Sequence, residues 1–211
     1  MSLPLHSEIL RLFRSRAGHF LLESGHHGTL WLDLEHLCLD LAAVDRMTAE
    51  LARRLSRYTP DIVCGPMVEG AFVALLVARH LDLPFTYAIR ERVSSPGLYP
   101  FRYRIPDALL PALRGGRVAV VNDVINAGSS VRGTIAHLTD CGATVAALGA
   151  LVVLGDWAER FAGAQEIPLD VLTAQPNTLW EPGDCPLCTA GQPLDDPAGF
   201  ARRDRGGDVV P

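Results

Sequence analysis

The chain contains no lysine: all 19 of its basic residues are arginine. A catalytic lysine is therefore excluded, and any anion held here must be met by arginine, by hydroxyls or by backbone amides. No apolar run approaches the roughly 20 residues that a membrane-crossing helix requires. Met1 to Leu12 mixes His6, Glu8 and Arg11 among its apolar residues, which is not the pattern of a signal peptide. No basic block stands out and the net charge is −5, so neither a nucleic acid nor a membrane is expected as a partner. The five cysteines are an odd number. Cys38, Cys64 and Cys141 lie in apolar surroundings and read as reduced core residues of a cytoplasmic protein.

What is present is largely apolar. Hydrophobic residues make up 48% of the 211, enough for one sizeable domain with a short appendage. Leu5, Ile9, Leu12 and Phe13 are spaced for one face of a helix, as are Val44, Met47, Leu51, Leu55 and Tyr58. Gly18 to Thr29 is Gly-rich and polar, and Leu30 to Leu34 alternates like a short strand. Buried strands are predicted at 61–64, 85–89, 117–121 and 145–154, with helices at 71–81 and 131–138. This alternation predicts an α/β fold, a mainly parallel sheet with helices on both faces, over residues 1–175. Glu91 to Pro106 has no sustained period and reads as a flexible loop or flap, about 91–106. From Pro176 to 211 the composition turns to Pro, Gly and Asp. This segment is predicted to be a loosely structured C-terminal extension, its tail partly disordered, carrying Cys185-Pro186-Leu187-Cys188.

One segment suggests chemistry. From Val118 to Val131 a hydrophobic strand runs into Asn122 and Asp123, then a turn of small residues, then a helix start. Gly128 permits close backbone approach, the first helical amides point outward, and Ser129 and Ser130 add hydroxyls, which together suit a phosphate. Asn122 and Asp123 stand at the strand's carboxyl end, where ligands bind in open α/β sheets, and suit the vicinal hydroxyls of a ribose. An ordinary strand–turn–helix junction with a serine cap fits the same spacing. The segment lacks the Gly-Lys-Ser/Thr of a P-loop and the three spaced glycines of a dinucleotide site.

The segment resembles the phosphoribosyl pyrophosphate (PRPP) signature of type I phosphoribosyltransferases. Three further segments resemble the orotate phosphoribosyltransferase branch in particular. Gly18 to Gly25 is similar to the hood that covers the base, within a hood segment of about residues 1–40. Asp61 to Ala71 is similar to the strand and loop that contact pyrophosphate, and the stretch from Cys185 through Leu194 to a C-terminal ending found in some members. The resemblance spans about residues 5 to 195 in consistent order. It implies transfer of the phosphoribosyl group to a heterocyclic base, orotate first, with Mg²⁺ accompanying PRPP and no metal-ligating residue assigned. It also implies a homodimer.

By the same resemblance Asp123 and Arg90 are the catalytic candidates. Asn122, Asn126, Ala127, Gly128, Ser129 and Ser130 form the ribose-phosphate loop, and Gly65, Pro66, Glu69 and Gly70 the pyrophosphate loop. Ser24, His27 and Arg92 complete the candidate binding set, with His26 beside them.

The chain departs from the family in places. Asn122 stands where an acid is usual, Ala127 replaces a hydroxyl residue, and Glu69 replaces a glycine. The family's loop lysines are missing from the Arg90 to Gly97 stretch. Arg90, Arg92, Arg102 and Arg104 are available there, either as phosphate forks or as solvated charges. Two other functions therefore stay open: a non-catalytic PRPP or nucleotide-binding regulator, and transfer to another base. Cys185 and Cys188 have the spacing of half a zinc site, with no second cysteine pair and no spaced histidine pair following. A zinc shared between subunits and a redox pair are the alternatives to a compact turn packed by its own residues, and the turn is the expectation.

Overall fold

The computed structural model describes residues 5–93 and 97–200. Ser94, Ser95 and Pro96 of the anticipated flap, and the tail from 201 onward, lie outside the described residues. In chain order the elements are α1 (Leu5–Arg11), β1 (Arg14–Leu21), β2 (His27–Asp33), α2 (Leu41–Leu55), β3 (Ile62–Pro66), α3 (Glu69–Leu81) and β4 (Phe85–Arg92). There follow β5 (Phe101–Arg104), β6 (Arg117–Ile125), α4 (Ser129–Asp140), β7 (Thr144–Leu154), α5 (Trp157–Ala164), β8 (Leu169–Gln175), β9 (Leu179–Trp180) and α6 (Pro186–Thr189).

The main sheet has the order β5-β4-β3-β6-β7-β8, parallel throughout except for β5. Its strands bury side chains on both faces because helices cover both. On one side α2 and α3 seat Val44, Met47, Leu51 and Val77 against Val63, Ala119, Val121 and Leu151. On the other, α4 and α5 seat Val131, Ile135, Leu138 and Ala158 against Cys64, Val118, Val120 and Leu148. Alternate residues of β6 thus serve opposite cores, which is why it reads as a continuous apolar run. Asp40 caps α2, its side chain accepting from the Ala43 amide at 3.0 Å.

Connectivity decides where a ligand can sit. The chain leaves β3 toward β4 but returns to place β6 on the other side of β3, so the loops after β3 and β6 diverge. A crevice opens at such a reversal, at the carboxyl ends of the strands.

A second, three-stranded sheet has the order β1-β2-β9 and forms the hood. Two expectations change here. The Gly-rich stretch from Gly18 contributes the end of a strand, because β1 pairs along β2 from Arg14↔Asp33 to Leu21↔His27, with the register shifting at a bulge between Ala17 and Phe20. The C-terminal extension, expected to be loosely structured, supplies the third strand through Gly28↔Leu179 and adds a parallel bridge, Phe20↔Asp195.

The flap is likewise more ordered than its composition suggested. β4 and β5 form an antiparallel hairpin with Arg90 opposite Tyr103 and Arg92 opposite Phe101. Alternation buries Phe101 and Tyr103 and turns Arg102 and Arg104 outward to Glu91 and Asp107. Those two arginines, held available for an anion on sequence alone, are solvent-facing ion pairs. Of the three cysteines assigned to the core, only Cys64 is fully buried, its thiol pushed up to about 12 by burial, while Cys38 is exposed.

Candidate functional site

β6 ends at the site because its last residues turn polar while the strand is still buried. Asn122 and Asp123 are 4% and 3% exposed. The chain then turns through Asn126 and Ala127 to Gly128, which opens α4 at φ 72°, a left-handed conformation. A Cβ on Gly128 would lie 1.9 Å from the Trp157 ring, so glycine is required there by packing as well as by φ. The first intrahelical bond of this helix runs from the Arg132 amide to the Gly128 carbonyl. The amides of Ser129, Ser130 and Val131 precede it and carry the positive end of the helix dipole.

Two buried oxygens of this loop lack a protein partner. Asp123 Oδ1 accepts from the Val124 amide at 2.7 Å, but its Oδ2 is buried without a protein partner. Ser129 Oγ is buried and unpartnered in the same loop. Burial pushes the Asp123 carboxyl up to about 7, with Glu69 and Glu23 adding repulsion against the opposing Val124 bond.

Asn122 behaves differently from the expectation that it would hold ribose. Its Nδ2 donates to the Val124 carbonyl at 2.8 Å and to Ser130 Oγ at 3.3 Å. Its Oδ1 lies so close to Gly70 that a Cβ there would come within 2.0 Å. The side chain is an internal strut joining the loop after β6 to the start of α3. Gly65 is also a packing glycine, since a Cβ on it would meet Ala74 at 2.5 Å and the Gly70 carbonyl at 2.7 Å. Pro66 is buried at the end of β3, and Glu69 is half-buried in the first turn of α3.

The hairpin and the hood close over this floor. The Tyr99 amide donates to the Ser24 carbonyl at 2.7 Å, and its hydroxyl donates to the Ala127 carbonyl at 3.3 Å. Arg132 stacks over the Tyr99 ring at 4.0 Å. One residue, through its amide and its hydroxyl, thereby joins the hood, the hairpin tip and the loop before α4. Asn126 is tied to Asn177 at 2.9 Å beyond the end of β8.

Arg90 donates to Glu23 at 2.8 Å, and Tyr103 donates to the same carboxylate at 2.6 Å. Burial and Glu23 raise the Tyr103 hydroxyl far above its ordinary range, so it remains a donor. Arg92 donates to the Phe200 carbonyl and lies over Phe101. Arg90 and Arg92 line a cavity of about 490 Å³ with Phe101 and residues 197–200. That cavity lies beside the hairpin and includes no residue of the phosphate loop.

The structure therefore brings Asp123, Asn126 to Ser130 and Gly70 together, with Ser24 connected through Tyr99. It separates His27 from them: the ring is buried within the hood, against His19 and Cys188, and not turned to the loop. Sequence reasoning missed Glu23, Tyr99, Tyr103 and Trp157. Only the alternation Phe101-Arg102-Tyr103-Arg104 signalled any of them, as a strand with aromatic residues inward.

A phosphoribosyl transferase domain model matches residues 31–176. Orotate phosphoribosyltransferase of Thermotoga maritima is 31% identical over 182 residues, covering 85% of this chain and 89% of that protein. Orotate phosphoribosyltransferase of Heliobacterium modesticaldum is 30% identical over 197 residues, covering 90% and 96%. Among solved structures, orotate phosphoribosyltransferase from Aeropyrum pernix superposes with a TM-score of 0.61 at 23% identity, covering 81% of this chain and 93% of that one. Adenine phosphoribosyltransferase from Trypanosoma brucei gives 0.64 at 15% identity, covering 81% and 79%. The two solved structures share the fold.

Proposed function

This chain belongs to the phosphoribosyl transferase family, and on that premise we propose that it transfers the phosphoribosyl group of PRPP to orotate, releasing orotidine 5′-phosphate and pyrophosphate. The observation that carries the proposal is the pair of buried, unpartnered oxygens, Asp123 Oδ2 and Ser129 Oγ, beside the amides that open α4. Such atoms are costly to bury unless a ligand completes them. Relatives named as orotate enzymes, at 30–31% identity over most of their length, favour orotate as the base.

In this scheme Ser129, Ser130 and the backbone of 126–128 grip the 5-phosphate, and Asp123 accepts from a ribose hydroxyl. Gly65, Pro66, Glu69 and Gly70 shape the pyrophosphate side, and Arg90, beside Glu23, supplies positive charge there; Arg92 is engaged by Phe200 and takes no part. The bond from ribose C1 to the pyrophosphate oxygen breaks, the leaving group keeps the electron pair, and a base nitrogen bonds to C1. Few covalent roles are needed; positioning and charge stabilisation do most of the work. Arginine suits the lysine-free chain, since its fork pairs two phosphate oxygens at once.

Mg²⁺ fits this set: Asp123 offers a buried free oxygen and Glu69 a second carboxylate, and the ion asks for only one or two carboxylates beside phosphate and water. When bound with PRPP it neutralises pyrophosphate charge. A homodimer is part of the proposal, supported by Val68, Phe72 and Leu75, exposed apolar residues that recur along one side of α3 next to the site. So is a cytoplasmic location, which suits five unpaired cysteines.

A second reading, a binder of PRPP without turnover, is favoured by one observation: Arg90 is already engaged by Glu23. Pyrophosphate release measured with PRPP, Mg²⁺ and a panel of pyrimidine and purine bases separates the two. Release with orotate is the expected result. Binding of PRPP without release for any base would replace the enzyme by the binder.

A further inference from the structure

His19 on β1, His27 at the start of β2, and Cys185 and Cys188 around α6 meet at the hood. Their ligand atoms all lie within 4.8 Å of one another. His19 Nε2 is 3.2 Å from His27 Nδ1, 3.4 Å from Cys185 Sγ and 3.8 Å from Cys188 Sγ, and Cys188 Sγ is 3.3 Å from His27 Nδ1. Three of the four residues are buried: Cys185 at 1%, His19 at 2% and His27 at 5% exposure.

We propose that these four side chains bind one structural Zn²⁺ ion that fastens the C-terminal extension to the hood. The proposal does not depend on the transferase reading.

Hydrogen bonding among the four groups does not account for the arrangement. His19 Nδ1 donates to the Gln192 carbonyl at 2.9 Å, so in the neutral ring Nε2 carries the single lone pair. Three polar atoms crowd that lone pair, which satisfies only one donor well. A cation satisfies all four at once. Zn–S bonds of about 2.3 Å and Zn–N bonds of about 2.0–2.1 Å make a tetrahedron with edges of roughly 3.3 to 3.8 Å. Four of the six separations, 3.2 to 3.8 Å, match those edges, and the other two lie within 4.8 Å, close enough for small side-chain rotations to bring all four atoms onto one ion. The bond from His19 to Gln192 is the outer contact that fixes the tautomer and ring angle of a metal-bound histidine.

Charge also balances. Binding displaces one proton from each thiol, and two thiolates neutralise the 2+ ion, so the buried site carries no net charge. Two thiolates and two imidazoles at tetrahedral separation select zinc over the oxygen-seeking cations. The site closes a loop from His19 to Cys188 and anchors the segment that also hydrogen-bonds β1, through the Leu21 amide to the Asp195 carbonyl and the Asp195 amide to the His19 carbonyl.

The test is the metal content of the full chain, purified without a histidine tag and desalted, read by mass spectrometry. About one zinc per chain is expected. Reduced, zinc-free protein given Co²⁺ should develop the intense absorption of a tetrahedral site with sulfur ligands. The Cys185→Ser/Cys188→Ser double variant and His27→Asn should lose both signals, while Cys141→Ser keeps them. Chelation should lower the melting temperature of the wild-type chain by at least about 5 °C. Protein that neither carries zinc nor takes up cobalt tetrahedrally would overturn the proposal, and so would a Cys185–Cys188 disulfide in its place. Zinc retained in full by a folded double variant would overturn it equally.

Discussion

Asp123, proposed to hold the ribose, shows how a residue in that role weighs against the stability of its own fold. Its carboxyl is pushed up to about 7, above the ordinary 3.8, chiefly by burial. The protonated form is thus the one the folded chain accommodates. The associated stability is complete below about pH 3.8 and is lost as pH rises through about 7. Asp123→Asn should accordingly be more stable than the wild type at pH 8, by about 4 kcal/mol, with the gain vanishing near pH 4. The same variant should lose turnover by on the order of 10²-fold, because an amide is a weaker acceptor for a ribose hydroxyl. In the wild type, kcat/KM should rise with pH through about 7 as the carboxylate forms. Denaturation and kinetics across pH 4 to 8 check both; a variant less stable at pH 8 contradicts the assignment. Gly128 makes a parallel case. Gly128→Ala meets Trp157 as well as an unfavourable φ, whereas Gly142→Ala, at φ 80°, meets nothing within 4 Å. The first should cost about 2–4 kcal/mol and the second about 1, measured by urea unfolding.

At the scale of elements, the hairpin of β4 and β5 separates two kinds of arginine. Arg90 faces Glu23 beside the site, and Arg102 faces Glu91 in solvent. Arg90→Ala should lower kcat on the order of 10²-fold with PRPP, and Arg102→Ala should change it less than about twofold. Steady-state rates for the two variants decide; equal effects would mean the hairpin acts only as a cover. Composition could not reveal this hairpin, because Pro96, Gly97 and Pro100 interrupt the apolar alternation that marks a strand. The central strands were legible for the opposite reason. β3, β6 and β7 are buried on both faces, so burial alone writes them as apolar runs bounded by turn residues. The turn from β6 into α4 was legible too, since Gly128 and the serines follow from local geometry. Asn122's internal role was not, because it depends on the approach of Gly70 from another loop. The cluster of two histidines and two cysteines was hidden for a related reason. Its halves lie 161 to 169 residues apart where they meet, one on a strand pair and the other around a short helix, and neither half alone signals a metal.

For the whole molecule, the exposed apolar side of α3 is the feature that solvent does not explain. Phe72 and Leu75 are 46% and 48% exposed, and Val68, one turn before Phe72, is 50% exposed. Phe72→Glu should convert a dimer into monomers by light scattering, and a wild-type monomer at micromolar concentration would remove that surface from consideration. The hood has a different consequence. Its first two strands are made early in synthesis, but the third, β9, and the bridge at Asp195 come from the far end of the polypeptide. Bringing such distant segments together carries a loop-closure entropy that the local hairpin of β1 and β2 does not repay alone. On the ribosome, the α/β core from β3 to β8 can therefore assemble while the hood still waits. The small sheet is complete only once β9 and Asp195 reach β2 and β1.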